Sequence, residues 1–163
     1  MRPKTFTLFT PQFYTCKKCH NSMILIGNIK SEGIMCCDKY SQKLSLQTEK
    51  GNLLKEHLPI MKVTGGIKHS IAHITIGETE QHLMTEKHHI EWIYFQGRQG
   101  NGQFQYLRPG DQAAADFALA GNDAYAYCNR DICIMGRGCK FCCRSEFDIY
   151  VYCNVHGLWK ITT

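Results

Sequence analysis

Ten cysteines in 163 residues constrain this chain more than any other feature, and they fall in two groups. Cys16, Cys19, Cys36 and Cys37 occupy the first quarter. Cys128, Cys133, Cys139, Cys142, Cys143 and Cys153 occupy the last. The stretch between has no cysteine but holds six of the eight histidines. In an exported protein such a count would suggest a disulfide frame. The opening MRPKTFTLFTPQF is charged but has no apolar core of a signal peptide, so a cytoplasmic location is expected. Under reducing conditions, a cysteine count this high points to metal or redox chemistry. No apolar run approaches the ~20 residues that cross a bilayer, so no membrane association is expected. Composition is that of a globular chain, 44% hydrophobic and 20% charged. The net charge of +5 is scattered and includes no basic block. Nucleic acid is therefore not expected as a partner, whereas small anions suit a modest positive field.

The cysteine asymmetry predicts a small metal module over residues 8–45 and a larger domain over 53–163, joined by the polar stretch Ser45–Asn52. The larger part reads as β-rich. Ile71–Ile76 alternates and is β-branched, and His89–Phe95 is a second strong strand. Gly97–Gly102 is a loop between Phe95 and Phe104, consistent with a hairpin. No helix pattern follows this glycine-rich stretch, so it is not read as a phosphate loop. Phe104–Leu107 is a strand closed by a turn at Pro109-Gly110-Asp111. Ala113–Leu119 reads as a short helical turn, and Tyr125–Tyr127 and Tyr150–Tyr152 as strands. Short strands with turns at this spacing suggest an all-β sandwich.

Two constellations carry chemistry. Cys16-x2-Cys19 places two thiolates at the ends of one tight turn, and Cys36-Cys37 supplies two more. Four thiolates close a tetrahedron around iron or zinc, and spacing does not choose between the metals. Adjacent cysteines tend to diverge, so the backbone near Cys36 and Cys37 must bend; Gly33 and the polar turn after it would permit that. His20 is surplus to four sulfurs and is read as solvent-facing. The second constellation is His57, His82, His88 and the Cys153-x2-His156 pair. A single histidine is more often a surface or core residue than a ligand. Four imidazoles with one thiolate, however, suit a non-haem iron, with nitrogens filling a plane and sulfur on the axis.

The segments YTCKKC, MCC, KEHLPI, HLMTEKHHIEWI, YLRPGD and CNVHGLW resemble superoxide reductase of the desulfoferrodoxin family, in the family's order and over nearly the whole chain. The N-terminal part resembles desulforedoxin. The resemblance implies an all-β protein, with a desulforedoxin-like metal module followed by an immunoglobulin-like β-sandwich. It implies two irons. Cys16, Cys19, Cys36 and Cys37 would hold one. His57, His82, His88 and His156 would be equatorial ligands of the other, with Cys153 axial. The implied activity is one-electron reduction of superoxide to hydrogen peroxide, with electrons from a rubredoxin-like donor, in a protein that is commonly a homodimer. The competing reading is a non-catalytic iron- or zinc-binding electron-transfer protein. Lys62, His69, His73 and His89 match no ligand position, and His69 and His73 are read as structural.

Two features depart from the family's pattern. The family usually carries Glu-Lys-His at the first ligand, with both side chains catalytic. This chain has Lys55-Glu56-His57, and in an extended segment the swap would exchange the sides on which they lie. Second, AYAYCN and YVYCN look like one strand repeated, with a cysteine-rich insertion at about 129–152. Only Cys153 has a histidine three residues on, which favours it over Cys128 as the axial ligand. Cys133, Cys139, Cys142 and Cys143 would form a third metal site, a redox-active thiol pair or an unligated excursion.

Overall fold

A computed structural model describes residues 10–27, 33–48, 51–64, 70–97, 100–120, 123 and 147–163. The molecule is nearly all β. Strands β1 (Gln12–Thr15) and β2 (Ser22–Leu25) form a hairpin, β3 (Met35–Cys36) and β4 (Lys39–Tyr40) form a smaller one, and β5 (Gln42–Lys43) adds to β1. After the short helix α1 (Asn52–His57) come β6 (Pro59–Thr64), β7 (Ser70–Ile76), β8 (Ile90–Gln96), β9 (Gly102–Tyr106), β10 (Ala114–Leu119), β11 (Asp148–Cys153) and β12 (Gly157–Thr162). These make two antiparallel sheets, β10-β7-β6 and β12-β11-β8-β9. Three strands facing four is the layering of an immunoglobulin-like sandwich.

Period-2 alternation builds the core. Ala72, Ile74 and Ile76 of β7 and Ala115, Phe117 and Leu119 of β10 point to one side of their sheet. They meet Ile93 and Phe95 of β8 and Ile149, Val151 and Cys153 of β11, all buried. Phe95 stacks on Phe117 across the two layers, with centroids 5.4 Å apart.

The alternate residues of β8 and β11 face the other way and form a second cluster. Trp92, Tyr94 and Tyr150 close around Phe13 of β1, whose ring stacks on Trp92 at 5.0 Å. Strands β8 and β11 of the four-stranded sheet are thus buried on both faces, by the sandwich core inside and by the N-terminal hairpin outside. That explains why β8 reads IEWIYFQ, apolar at nearly every position.

Two elements differ from the sequence expectation. Residues 114–119 form strand β10, paired with β7 from Ala114↔Thr75 to Leu119↔Ser70, and not a helical turn. Alanine favours helix in isolation, but the buried set 115, 117 and 119 has period 2, and packing against β7 outweighs propensity. Residues 52–57 are helical, so the extended geometry considered for the Lys55-Glu56 order does not apply. The second repeat-like strand is β11, central in its sheet between β12 and β8. Its counterpart at Tyr125–Tyr127, together with Cys128, Cys133, Cys139, Cys142 and Cys143, lies outside the described residues, as does His69. No helix among the described residues is long and apolar enough to cross a membrane.

Candidate metal centres

The first centre grows from two turns. After β1 the chain reverses through Lys17–Cys19, with the His20 N–H donating to the Cys16 carbonyl at 2.8 Å and the Cys16 N–H to Asn21 at 3.0 Å. His20 closes this knuckle at φ 57 and is itself exposed. The second turn answers how adjacent cysteines converge. Cys37 and Asp38 both have positive φ, 50° and 62°, and they join β3 to β4 as a two-residue loop. Positive φ at both central positions is what a tight type I′ hairpin turn requires. The bend therefore falls at Cys37-Asp38 and not at Gly33.

The four sulfurs of Cys16, Cys19, Cys36 and Cys37 lie within 4.8 Å of one another. Cys19 and Cys36 are 3.6 Å apart, Cys36 and Cys37 3.9 Å. Disulfide sulfurs would be ~2.05 Å apart; a tetrahedron of ~2.3 Å metal–sulfur bonds has edges near ~3.8 Å. Backbone N–H groups of Cys19 and Lys18 pull the Cys16 thiol down to about 6. Neighbouring sulfurs, that of Cys19 foremost, push Cys36 up to about 12. Four thiols so close cannot all ionise without a cation, and the donor set fits a bound metal.

The second centre sits at one end of the sandwich. His57 is the last residue of α1, His82 and His88 lie on the loop between β7 and β8, and Cys153 and His156 flank the β11–β12 turn. Their rings form a closed cycle. Neighbouring centroids are 4.6 Å apart for His57–His82, 4.5 Å for His82–His88, 4.8 Å for His88–His156 and 4.8 Å for His156–His57. The diagonal His57–His88 is longer, 6.1 Å. Each neighbouring pair meets edge to face, at 70° to 84°. The ligating atoms of His57, His88, Cys153 and His156 lie within 4.8 Å of one another. His82 stands outside that set but brings its Nε2 within 3.1 Å of His57 Nε2.

The hydrogen bonds argue for a cation here. His57 Nδ1 donates to the Leu53 carbonyl at 2.7 Å, and His82 Nδ1 to the Leu83 carbonyl at 2.6 Å. A carbonyl only accepts, so both Nδ1 atoms carry the proton and both Nε2 atoms of the neutral rings are lone pairs. Those lone pairs face each other at 3.1 Å. Protonating one would bury a charge: burial holds His82 down at about 4, and the same cause lowers His57 and His88. His88 Nε2 is buried with no hydrogen-bond partner. His156 turns its Nδ1 inward, 3.1 Å from His57 Nε2 and 3.7 Å from the Cys153 sulfur. Burial pushes the Cys153 thiol up; the backbone N–H groups of His156 and Val155 oppose that shift. Inward lone pairs with Nδ1 atoms held by carbonyls are the usual dress of metal-binding histidines.

Lys55 and Glu56 lie on exposed α1, beside His57. In a helix successive side chains are about 100° apart, so the reversed order does not put them on opposite sides. The Lys55 ammonium pairs with Glu78 at 3.8 Å, both exposed. The Glu56 carboxylate raises the proton affinity of both His57 and His88, against the stronger effect of burial. His73 is elsewhere, on β7, between Thr64 and Asp116 at 2.6 Å each. Lys62 pairs opposite it across β6 and β7, and His89 Nδ1 contacts the Thr85 carbonyl at 3.1 Å.

Two supporting residues escaped the sequence reading. Asn154 accepts from the His89 N–H at 2.9 Å and donates to the Lys87 carbonyl at 3.1 Å, tying the histidine loop to Cys153. Trp159 stacks on His57 at 4.8 Å. Both belong to the CNVHGLW segment that carries the resemblance, but the sequence assigns a role there only to Cys153 and His156.

Comparisons with known proteins follow the same lines. A family model described as desulfoferrodoxin matches residues 47–133. A desulfoferrodoxin homolog from Methanothermobacter thermautotrophicus is 28% identical over 155 residues, 92% of this chain and 97% of that protein. The desulfoferrodoxin of Nitratidesulfovibrio vulgaris is 27% identical, over 91% of this chain and 94% of that one. Among solved structures, the superoxide reductase from Treponema pallidum superposes with a TM-score of 0.66 at 18% identity, covering 94% of this chain and 98% of that one. This last likeness is one of fold.

Proposed function

The chain belongs to the desulfoferrodoxin family, and from that premise we propose that it is a superoxide reductase, converting superoxide and two protons with one electron to hydrogen peroxide. The observation that carries this reading is the closed cycle of His57, His82, His88 and His156 with the Cys153 sulfur beside it.

In this reading all five residues bind one iron, and Cys16, Cys19, Cys36 and Cys37 bind the other. Iron held by these five residues would supply the reducing electron, and the Cys153 thiolate would raise electron density at it. The residues do the rest. The carbonyls of Leu53 and Leu83 hold His57 and His82 with their lone pairs inward. Backbone N–H groups at Cys153 temper the thiolate's donation. Burial of His57, His82 and Cys153 limits water on their side, while His88 and His156 are half-buried. Lys55 supplies positive charge that draws an anion toward the site, and Glu56 a carboxylate next to it; both remain proposed catalytic groups. The electron source is a small rubredoxin-like donor, the protein works as a homodimer, and its place is the cytoplasm. The module of residues 8–45 and the domain of 53–163 are the proposed functional units.

Anaerobic reconstitution followed by metal analysis and exposure to superoxide tests the reading. Two irons per chain and stoichiometric peroxide are expected. Zinc at both sites, or iron without turnover, would instead identify a non-catalytic metal protein.

A further inference from the structure

The outward face of the three-stranded sheet carries a side-chain cluster that neither metal centre uses. Strand β7 is the middle one, between β10 and β6. Its Ala72, Ile74 and Ile76 point into the core, so alternation turns Ile71, His73 and Thr75 outward. Asp116 of β10 lies opposite His73 on one side, and Lys62 of β6 on the other. Thr64 stands two residues beyond Lys62, opposite Ile71. Lys62, Thr64 and Asp116 are exposed, and the His73 side chain keeps 36% of its surface in solvent.

Two short hydrogen bonds order this cluster. His73 Nδ1 donates to the Asp116 carboxylate at 2.6 Å, because an ionised carboxylate only accepts. Nε2 of the neutral ring is then a lone pair, and the Thr64 hydroxyl donates to it at 2.6 Å. The contacts run from hydroxyl to imidazole to carboxylate. A nucleophile is within reach of a base, and a third group orients the base. Each of the three comes from a different strand, so the register of the sheet fixes their order.

We propose that Thr64 is a nucleophile that takes an acyl group from small activated esters, with His73 as its base and Asp116 as the positioning residue. The Thr64 Oγ1 bonds to the ester carbonyl carbon while its proton passes to His73 Nε2. The Lys62 ammonium, from the same face, opposes the negative charge that develops on the carbonyl oxygen. The bond to the leaving alcohol then breaks, and that alcohol takes the proton from Nε2. Thr64 is left as an ester and His73 neutral. Water repeats the sequence, releasing the carboxylic acid and restoring the hydroxyl. An open sheet face holds a reagent only near its reacting group, which suits short acyl chains with good leaving groups. Ile71, opposite Thr64 and 38% exposed, offers apolar surface to such a chain. The cluster shares no residue with either metal centre, so the proposal stands apart from superoxide chemistry.

The test treats the full chain, as purified, with 4-nitrophenyl acetate. Nitrophenolate release is followed, and peptide mapping by mass spectrometry locates the acetyl groups. An acetyl group on Thr64 is expected, formed in a burst that Thr64→Val removes. His73→Gln should slow acetylation of Thr64 by about a hundredfold or more, the usual scale of general-base assistance. Asp116→Asn should slow it about tenfold, with partial recovery in Asp116→Glu, and Lys62→Met severalfold. Metal content should be unchanged in every variant. Acetyl groups confined to lysines and cysteines, with none on Thr64, would overturn the proposal. Thr64 acetylated as fast in His73→Gln as in the unaltered protein would overturn it as well. Should the His73 variant not fold, an unaltered rate in Asp116→Asn overturns it instead.

Discussion

The facing lone pairs of His57 and His82 make both residues sensitive to what occupies the space between them. Replacing either with alanine removes one inward nitrogen and leaves the other uncompensated. His57→Ala and His82→Ala should each lose metal from the five-residue site while keeping it at the four-thiolate site, as metal analysis of the purified variants would report. Cys153→Ser should abolish the thiolate-to-iron charge-transfer absorption of the oxidised centre; Cys128→Ser should leave it in place. The band disappearing with Cys128 and persisting without Cys153 would reverse the axial assignment. Acid acts on the same residues in the metal-free protein. His82 is held at about 4 when folded, against ~6.5 when unfolded. The unfolded chain therefore binds the extra proton first as pH falls. Stability from His82 is complete above pH ~6.5 and is lost toward pH ~4, a change of roughly 3 kcal/mol. Denaturant midpoints measured from pH 7 to 4.5 should fall, and should fall less in His82→Gln.

At the scale of elements, the turns decide whether ligands meet. The Cys37-Asp38 turn requires a left-handed residue at Asp38. Asp38→Val should cost about 1–2 kcal/mol and weaken metal retention at the thiolate site, measured by competition with a chelator, whereas Asp38→Gly should not. Asn154 ties the His88 loop to β11 through two hydrogen bonds. Asn154→Ala should lower stability by about 1–3 kcal/mol and loosen metal at the five-residue site before it affects the other. These elements also show what was legible in the chain. The strand at 71–76 was readable because its alternation is local, and those expected at 89–95 and 150–152 because they are runs of β-branched and aromatic residues. Strand β10 was not, because an alanine-rich segment takes its period from β7 and not from itself. Helix α1 was equally hidden: six residues are too few to show a helical repeat, and its Gly51 N-cap makes no side-chain cap bond. The candidate cysteines and histidines stood out through their spacing and through the segments that resemble the family. The inward choice of Nδ1 at His156, and the roles of Asn154 and Trp159, depend on contacts that spacing does not contain.

For the whole molecule, the decisive contact is between the N-terminal hairpin and the sandwich. Phe13 is buried among Trp92, Tyr94 and Tyr150. Phe13→Ala should cost about 3–5 kcal/mol and release the hairpin, raising amide exchange in residues 12–25 before the core of β7 and β8 exchanges. The four-stranded sheet then serves as a support: the sandwich core lies on one face, Phe13 of the N-terminal hairpin packs on the other, and β11 ends at Cys153 of the five-residue site. The central claim is that this site reduces superoxide and does not dismutate it. Its most direct measurement is pulse radiolysis of the iron-loaded, pre-reduced protein with peroxide and dioxygen both quantified. One peroxide for each superoxide consumed, with no dioxygen from the protein's reaction, is the predicted result. Dioxygen released together with peroxide, or superoxide decaying no faster than in buffer, would contradict it.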